Sequence, residues 1–152
     1  MGQMLANVLI VDDLEDDIFI TRRYLGAPRG MRCVFSEARD GKTALEQIST
    51  TLVKGDAIDL VLLDINMPVM NGFEMLERLR ADPAMAAIPV VMQTGSIYEK
   101  DKERARVLGA VGYIEKPVKF QALVTALDSV TSVRLVPAEG APPALVPLNR
   151  NA

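Results

Sequence analysis

The chain has 152 residues, 49% of them apolar and 24% charged, with a formal charge of −3 and a pI near 5.0; this is the balance of a globular protein with one ordinary core, and it lacks the basic footprint of a nucleic-acid binder. There is no histidine and only one cysteine, Cys33, which excludes His-based metal sites, Ser-His-Asp triads and intrachain disulfides. No apolar run has the length of a membrane span and the N-terminus carries no signal-peptide pattern, so a cytoplasmic protein without a membrane partner is expected.

The first apolar run, Val8–Val11, predicts a strand that ends on Asp12 and Asp13. Ile18, Thr21 and Leu25 then share one helical face, with Asp16 and Asp17 near the helix start. A second strand is expected over Met31–Phe35, with Cys33 inside it as a small buried hydrophobe. Ala44, Leu45, Ile48 and Leu52 form the next helical face after Asp40. The third strand, Leu60–Leu63, ends on Asp64, and Pro68 and Gly72 punctuate the loop beyond it. Phe73, Leu76 and Leu79 follow Asn71, with Glu74 completing a near capping box.

A fourth strand, Pro89–Met92, leads to Thr94 and Gly95. Ser96 and Glu99 suggest a second capping box, before a helix that Gly109 could end. That helix is charged over most of its length and can bury little, so it is expected to be weakly held. A short strand over Gly112–Ile114 runs toward Lys116 and Pro117, and Phe120, Leu123, Val124, Leu127 and Val130 make the clearest amphipathic stripe. Past Val133 the chain turns Pro/Ala-rich and loses its periodicity. Residues 1–132 are therefore expected to form the folded domain and 133–152 a flexible tail.

Five β-α units in succession imply a parallel sheet covered by helices on both faces. With right-handed crossovers, a flavodoxin-like (βα)5 doubly wound sandwich in strand order 2-1-3-4-5 is one common solution. In such a sheet the ligand site lies beyond the carboxyl ends of the strands, where the order reverses. Asp12 and Asp13 from the first strand and Asp64 from the third would meet there. Carboxylates in company resist ionisation together, and a hard divalent cation such as Mg²⁺ removes the conflict. Thr94 would add a hydroxyl at the same rim and Lys116 an ammonium, a set suited to a transferring phosphoryl group. Each part alone has an ordinary explanation. Paired acids begin helices, Thr-Gly makes turns, Lys-Pro carries no signal, and Tyr113 and the Met residues read as core. Their joint order at the strand ends is what separates them from chance.

The pieces "VLIVDD", "LVLLDINMPVMNGFEML", "VVMQTGS" and "GAVGYIEKPV" resemble the receiver domain of two-component response regulators, over roughly residues 5 to 132. The segments "RADPAMAAIPVV" and "DDLEDDIF" are similar to those of stand-alone, single-domain receivers of the phytochrome-associated type. The resemblance implies that Asp64 is the phospho-acceptor, that Asp13 is a direct Mg²⁺ ligand, and that Asp12 acts mainly through water. It also implies that Asn66 lends its backbone carbonyl to the metal, that Thr94 and Lys116 hold the phosphoryl group, and that Tyr113 is the switch aromatic. The Lys116–Pro117 bond is often cis in that family. The implied partners are a histidine kinase or histidine phosphotransfer protein upstream and an unspecified protein target downstream, with the receiver a monomer or homodimer. The readout would run through the fourth helix, fifth strand and fifth helix. Such a domain catalyses only its own phosphoryl transfer and dephosphorylation. Gln93 stands where an apolar residue is commoner, and Gly95 where alanine is. Two rivals are an aspartate-nucleophile phosphohydrolase of the haloacid dehalogenase type and an unphosphorylated receiver-like scaffold. The first wants its nucleophile after the first strand and a second acid where this chain has Asn66.

Overall fold

The computed structural model describes residues 4–148. Strands β1 (Asn7–Val11), β2 (Val34–Ala38), β3 (Leu60–Asp64), β4 (Val90–Thr94) and β5 (Gly112–Glu115) alternate with helices α1 (Glu15–Leu25), α2 (Gly41–Val53), α3 (Gly72–Ala81), α4 (Glu99–Val107) and α5 (Phe120–Leu127). The five strands are parallel and lie in the order β2-β1-β3-β4-β5, the flavodoxin-like arrangement. β3 and β4 are buried throughout, as their unbroken apolar runs require. Alternation along the strands divides the core in two. Leu9, Val11, Val61, Leu63, Val90 and Met92 face α2, α3 and α4. Val8, Ile10, Leu60, Leu62 and Val91 face α1 and α5.

Local signals account for most boundaries. Acidic residues Glu15, Asp16 and Asp17 fill the first turn of α1, where the helix dipole favours them. Asp40 caps α2 by accepting from the Thr43 N–H at 2.7 Å. Asn71 and Glu74 form the expected capping box on α3. Among the boundaries that move, two have a clear local cause. The second strand is Val34–Ala38 rather than Met31–Phe35, because Met31 pairs with Gly26 and is used as a core plug before the edge strand begins. The Ser96–Glu99 box does not form. Ser96 is taken up by a turn with Thr94, and α4 starts after an uncapped Tyr98.

Residues 133–147 depart from the expected flexible tail. They form an antiparallel hairpin of β6 (Val133–Ala138) and β7 (Ala141–Pro147). β7 wedges between the amino ends of β1 and β2. The Ala6 N–H donates to Leu145 O at 2.8 Å, the Leu145 N–H to Arg32 O at 2.9 Å, and the Arg32 N–H to Pro143 O at 2.8 Å. Leu145 is fully buried and joins the core on the α1/α5 face. The prolines that hid this segment lack an N–H, but a two-stranded ribbon leaves outward-facing positions that need none.

Candidate functional site

Three strand ends meet at the carboxyl rim where the strand order reverses. Asp12 follows β1 and is fully enclosed, with its Oδ1 accepting from the Leu14 N–H at 3.0 Å. Asp13 is half-buried beside it, and its backbone carbonyl accepts from Arg39. Asp64 ends β3 and is also buried. Each of the three offers a carboxylate oxygen within 4.8 Å of the others. Lys116 reaches in from the loop after β5, anchored by its N–H on Thr94 O at 2.7 Å. Its Nζ lies 2.7 Å from Asp12 Oδ2, 2.9 Å from Asp17 Oδ2 and 3.3 Å from Asp64 Oδ1.

The electrostatics follow from burial. Loss of water pushes the Asp64 carboxyl up to about 6, reinforced by the neighbouring Asp12 charge and opposed by Lys116 and by the Asn66 backbone N–H. Burial likewise raises Asp12, against the pull of Lys116. Desolvation alone would lower the Lys116 pKa, but its contacts with Asp12 and Asp17 outweigh that and raise it. The rim is therefore a net-acidic, partly dehydrated cluster in which one ammonium faces several carboxylates. A hard cation suits this donor set: three close carboxylate oxygens, open on the Asp13 side. Asp12, Asp13 and Asp64 are the residues that would hold it.

Asn66 is exposed two residues beyond Asp64. The loop that carries it closes tightly, with the Gly72 N–H donating to Ile65 O at 2.9 Å. A Cβ at Gly72 would sit 2.4 Å from the Asp64 carbonyl, so this glycine is required by the site rather than being simple loop punctuation. Thr94 is buried at the end of β4, but its hydroxyl is turned into its own loop, donating to Ser96 O at 2.9 Å. A Cβ at Gly95 would meet nothing within 4 Å, so the approach beside Thr94 is open. Tyr113 is half-buried, and burial raises its phenol pKa. Its hydroxyl is enclosed near Thr94 and the Tyr98 backbone without a well-formed hydrogen bond. The Lys116–Pro117 bond is cis.

Two residues of the site went unassigned in the sequence. Asp17 falls in the first turn of α1, directly after the Asp12–Asp13 pair, and this nearness was the available signal. Gln93 pairs in register with Asp64 and is fully buried, and neither atom of its amide has a hydrogen-bond partner among the described residues.

An open parallel α/β sheet with an acidic cluster and a fixed ammonium at its switch point defines a phosphate-handling class of domain. Within that class, the family model for the response regulator receiver domain matches residues 8–128. The chain belongs to this family, the phosphoryl-accepting signalling modules of two-component systems rather than classical enzymes. It is 38% identical over 118 residues to a probable cyclic di-GMP phosphodiesterase of Vibrio cholerae, covering 78% of this chain and 25% of that protein. It is 33% identical over 133 residues to the response regulator PleD of Caulobacter vibrioides, covering 88% of this chain and 28% of that protein. The chain thus spans little more than a quarter of the length of these relatives. Among solved structures, the bacteriophytochrome response regulator AtBRR matches at 31% identity with a TM-score of 0.71, over 81% of this chain and 90% of that one. Among the described residues, no helix is long and apolar enough to cross a membrane.

Proposed function

We propose that this receiver accepts a phosphoryl group from a phosphohistidine onto Asp64 and signals through the α4–β5–α5 face to a protein partner. The observation that carries this reading is the convergence of Asp12, Asp13, Asp64 and the Lys116 ammonium at one rim. An Asp64 carboxylate oxygen attacks phosphorus in line. The P–N bond of the donor breaks as the O–P bond forms, and the electron pair leaves with the imidazole of a histidine kinase or histidine phosphotransfer protein. Asp64 needs no proton transfer to act, and Lys116 supplies positive charge beside it. Asp12, Asp13 and Asp64, with the Asn66 carbonyl, would hold a Mg²⁺ ion, which would supply further charge against the phosphoryl oxygens. Water later hydrolyses the acyl phosphate.

The switch follows from the contacts of Thr94. Its hydroxyl now donates to Ser96 O, and a charged phosphoryl oxygen is the stronger acceptor. Turning toward it releases Ser96, the residue leading into the uncapped start of α4, and vacates space beside Tyr113. α4 has one buried residue, Ala105, so it yields readily. Moving such an equilibrium from 1% to 99% takes about 5.5 kcal/mol of differential stabilisation, and several charge-assisted hydrogen bonds contribute on that scale. On this reading the protein is a cytoplasmic, phosphorelay-type regulator.

The test is incubation with Mg²⁺ and acetyl phosphate, read by intact mass. One base-labile phosphoryl group is expected on the wild type and none on Asp64→Asn. Undiminished labelling of Asp64→Asn would refute the assignment.

A further inference from the structure

Lys116 carries three N–H donors and has three carboxylates within 3.3 Å of its ammonium. The three contacts differ in kind. The bond to Asp17 Oδ2, at 2.9 Å, is a well-aligned hydrogen bond. Those to Asp12, at 2.7 Å, and to Asp64, at 3.3 Å, are ion pairs. Their duties differ as well. Asp12 and Asp64 belong to the carboxylate cluster with Asp13, and Asp17 stands outside it. In the proposed reaction Asp64 becomes an acyl phosphate, and Asp12 would be drawn on by a bound cation. Asp17 is the one partner of the ammonium whose state does not change.

Its mounting suits that role. Asp17 sits in the first turn of α1, where exposed backbone N–H groups favour a negative charge. α1 is fixed to the sheet by Ile18, Thr21 and Leu25, so Asp17 moves with the helix and not with the Lys116 loop. It also borders an open cleft shared with Tyr24, Gly95 and Pro117, so loss of its charge disturbs no packed core. Resting on the reading above, we infer that Asp17 is a positioning residue: it anchors the Lys116 ammonium beside Asp64 throughout phosphoryl transfer and keeps that charge from settling on Asp12 and Asp64.

Without this anchor the ammonium falls back on the two groups that the cation and phosphorus need. Asp17→Asn, which keeps the shape, is expected to weaken Mg²⁺ binding and slow phosphorylation by acetyl phosphate at saturating Mg²⁺, each by roughly tenfold, the scale of one charge-assisted hydrogen bond. The donor KM should stay within about twofold, since the effect lies on the reacting charge and not on donor binding. Asp17→Glu should restore much of both. The decisive measurement is a double-mutant cycle with Lys116→Gln. If Asp17 acts through Lys116, Asp17→Asn changes neither quantity in the Lys116→Gln background. Equal effects in both backgrounds, or a folded Asp17→Asn protein with wild-type Mg²⁺ affinity and rate, would overturn the inference. Failure of the wild type itself to take up phosphate would instead strike the function proposed above, and the Mg²⁺ titrations would still decide whether Asp17 anchors Lys116.

Discussion

At the scale of single residues, the site is held together by a conflict between burial and charge. Asp64 is pushed from about 3.8 up to about 6, first by desolvation and then by Asp12, and Asp12 is raised as well. A carboxyl whose folded-state pKa is raised stabilises the fold below its unfolded value and loses that contribution as pH climbs through the folded value. The metal-free protein should therefore become less stable between pH 4 and 6, on the order of 3 kcal/mol from Asp64 alone at about 1.4 kcal/mol per pH unit. Lys116 adds nothing to this window because it is protonated throughout. Urea denaturation in EDTA at pH 4.5 and 7.5 checks the sign, and Mg²⁺ should restore stability at pH 7.5 far more than at pH 4.5. A metal-free protein more stable at pH 7.5 would contradict the assigned electrostatics. Asp12, Asp13, Asp64 and Lys116 were legible in the sequence because charge at the end of an apolar strand is costly and asks for a reason. Asp17 was hidden because a first-turn acid already has one in the helix dipole.

At the scale of elements, α4 is the one helix held mainly by its edges. Arg104 does most of this, stacking over the Phe73 ring at 4.4 Å from its centroid and lying 3.5 Å from Glu77 of α3. Arg80 fixes the far end by donating to Gly109 O at 3.0 Å and to Ile88 O at 2.8 Å. Arg104→Ala should cost only about 0.5–1 kcal/mol globally, as befits an exposed cation–π contact. Amide exchange over residues 99–107 should accelerate while the central strands keep their protection. Uniform acceleration across the sheet would show that α4 does not open as a separate unit. The weak hold on α4 was readable from its charge density, whereas its starting point was not. Ser96 and Glu99 have the spacing of a capping box, but the Thr94 hydroxyl competes for Ser96, and a contact between neighbouring loop residues leaves no periodic trace.

For the whole molecule, the five β-α units and their order followed from apolar runs alternating with helical stripes. The terminal hairpin did not, since Pro142, Pro143 and Pro147 suppress any regular pattern and its anchoring rests on a few side chains, chiefly Ala144, Leu145 and Val146. Burying one leucine is worth about 1.5–3 kcal/mol, and the backbone bonds to Ala6 and Arg32 add to it. Ending the chain after Ser132 should therefore lower the unfolding free energy by at least about 3 kcal/mol, measured by urea titration. An unchanged midpoint would mean the hairpin is ornament. The wedge also has a practical side. It joins Ala6 and Leu145 at the amino-terminal pole of the sheet, a strand's length from the acids, roughly 17 Å for five residues. A fluorophore or surface tether placed beside Leu5 or Leu148 would thus leave the acidic pole unobstructed, and labels at both positions would report on each other's separation whenever the hairpin lifts away.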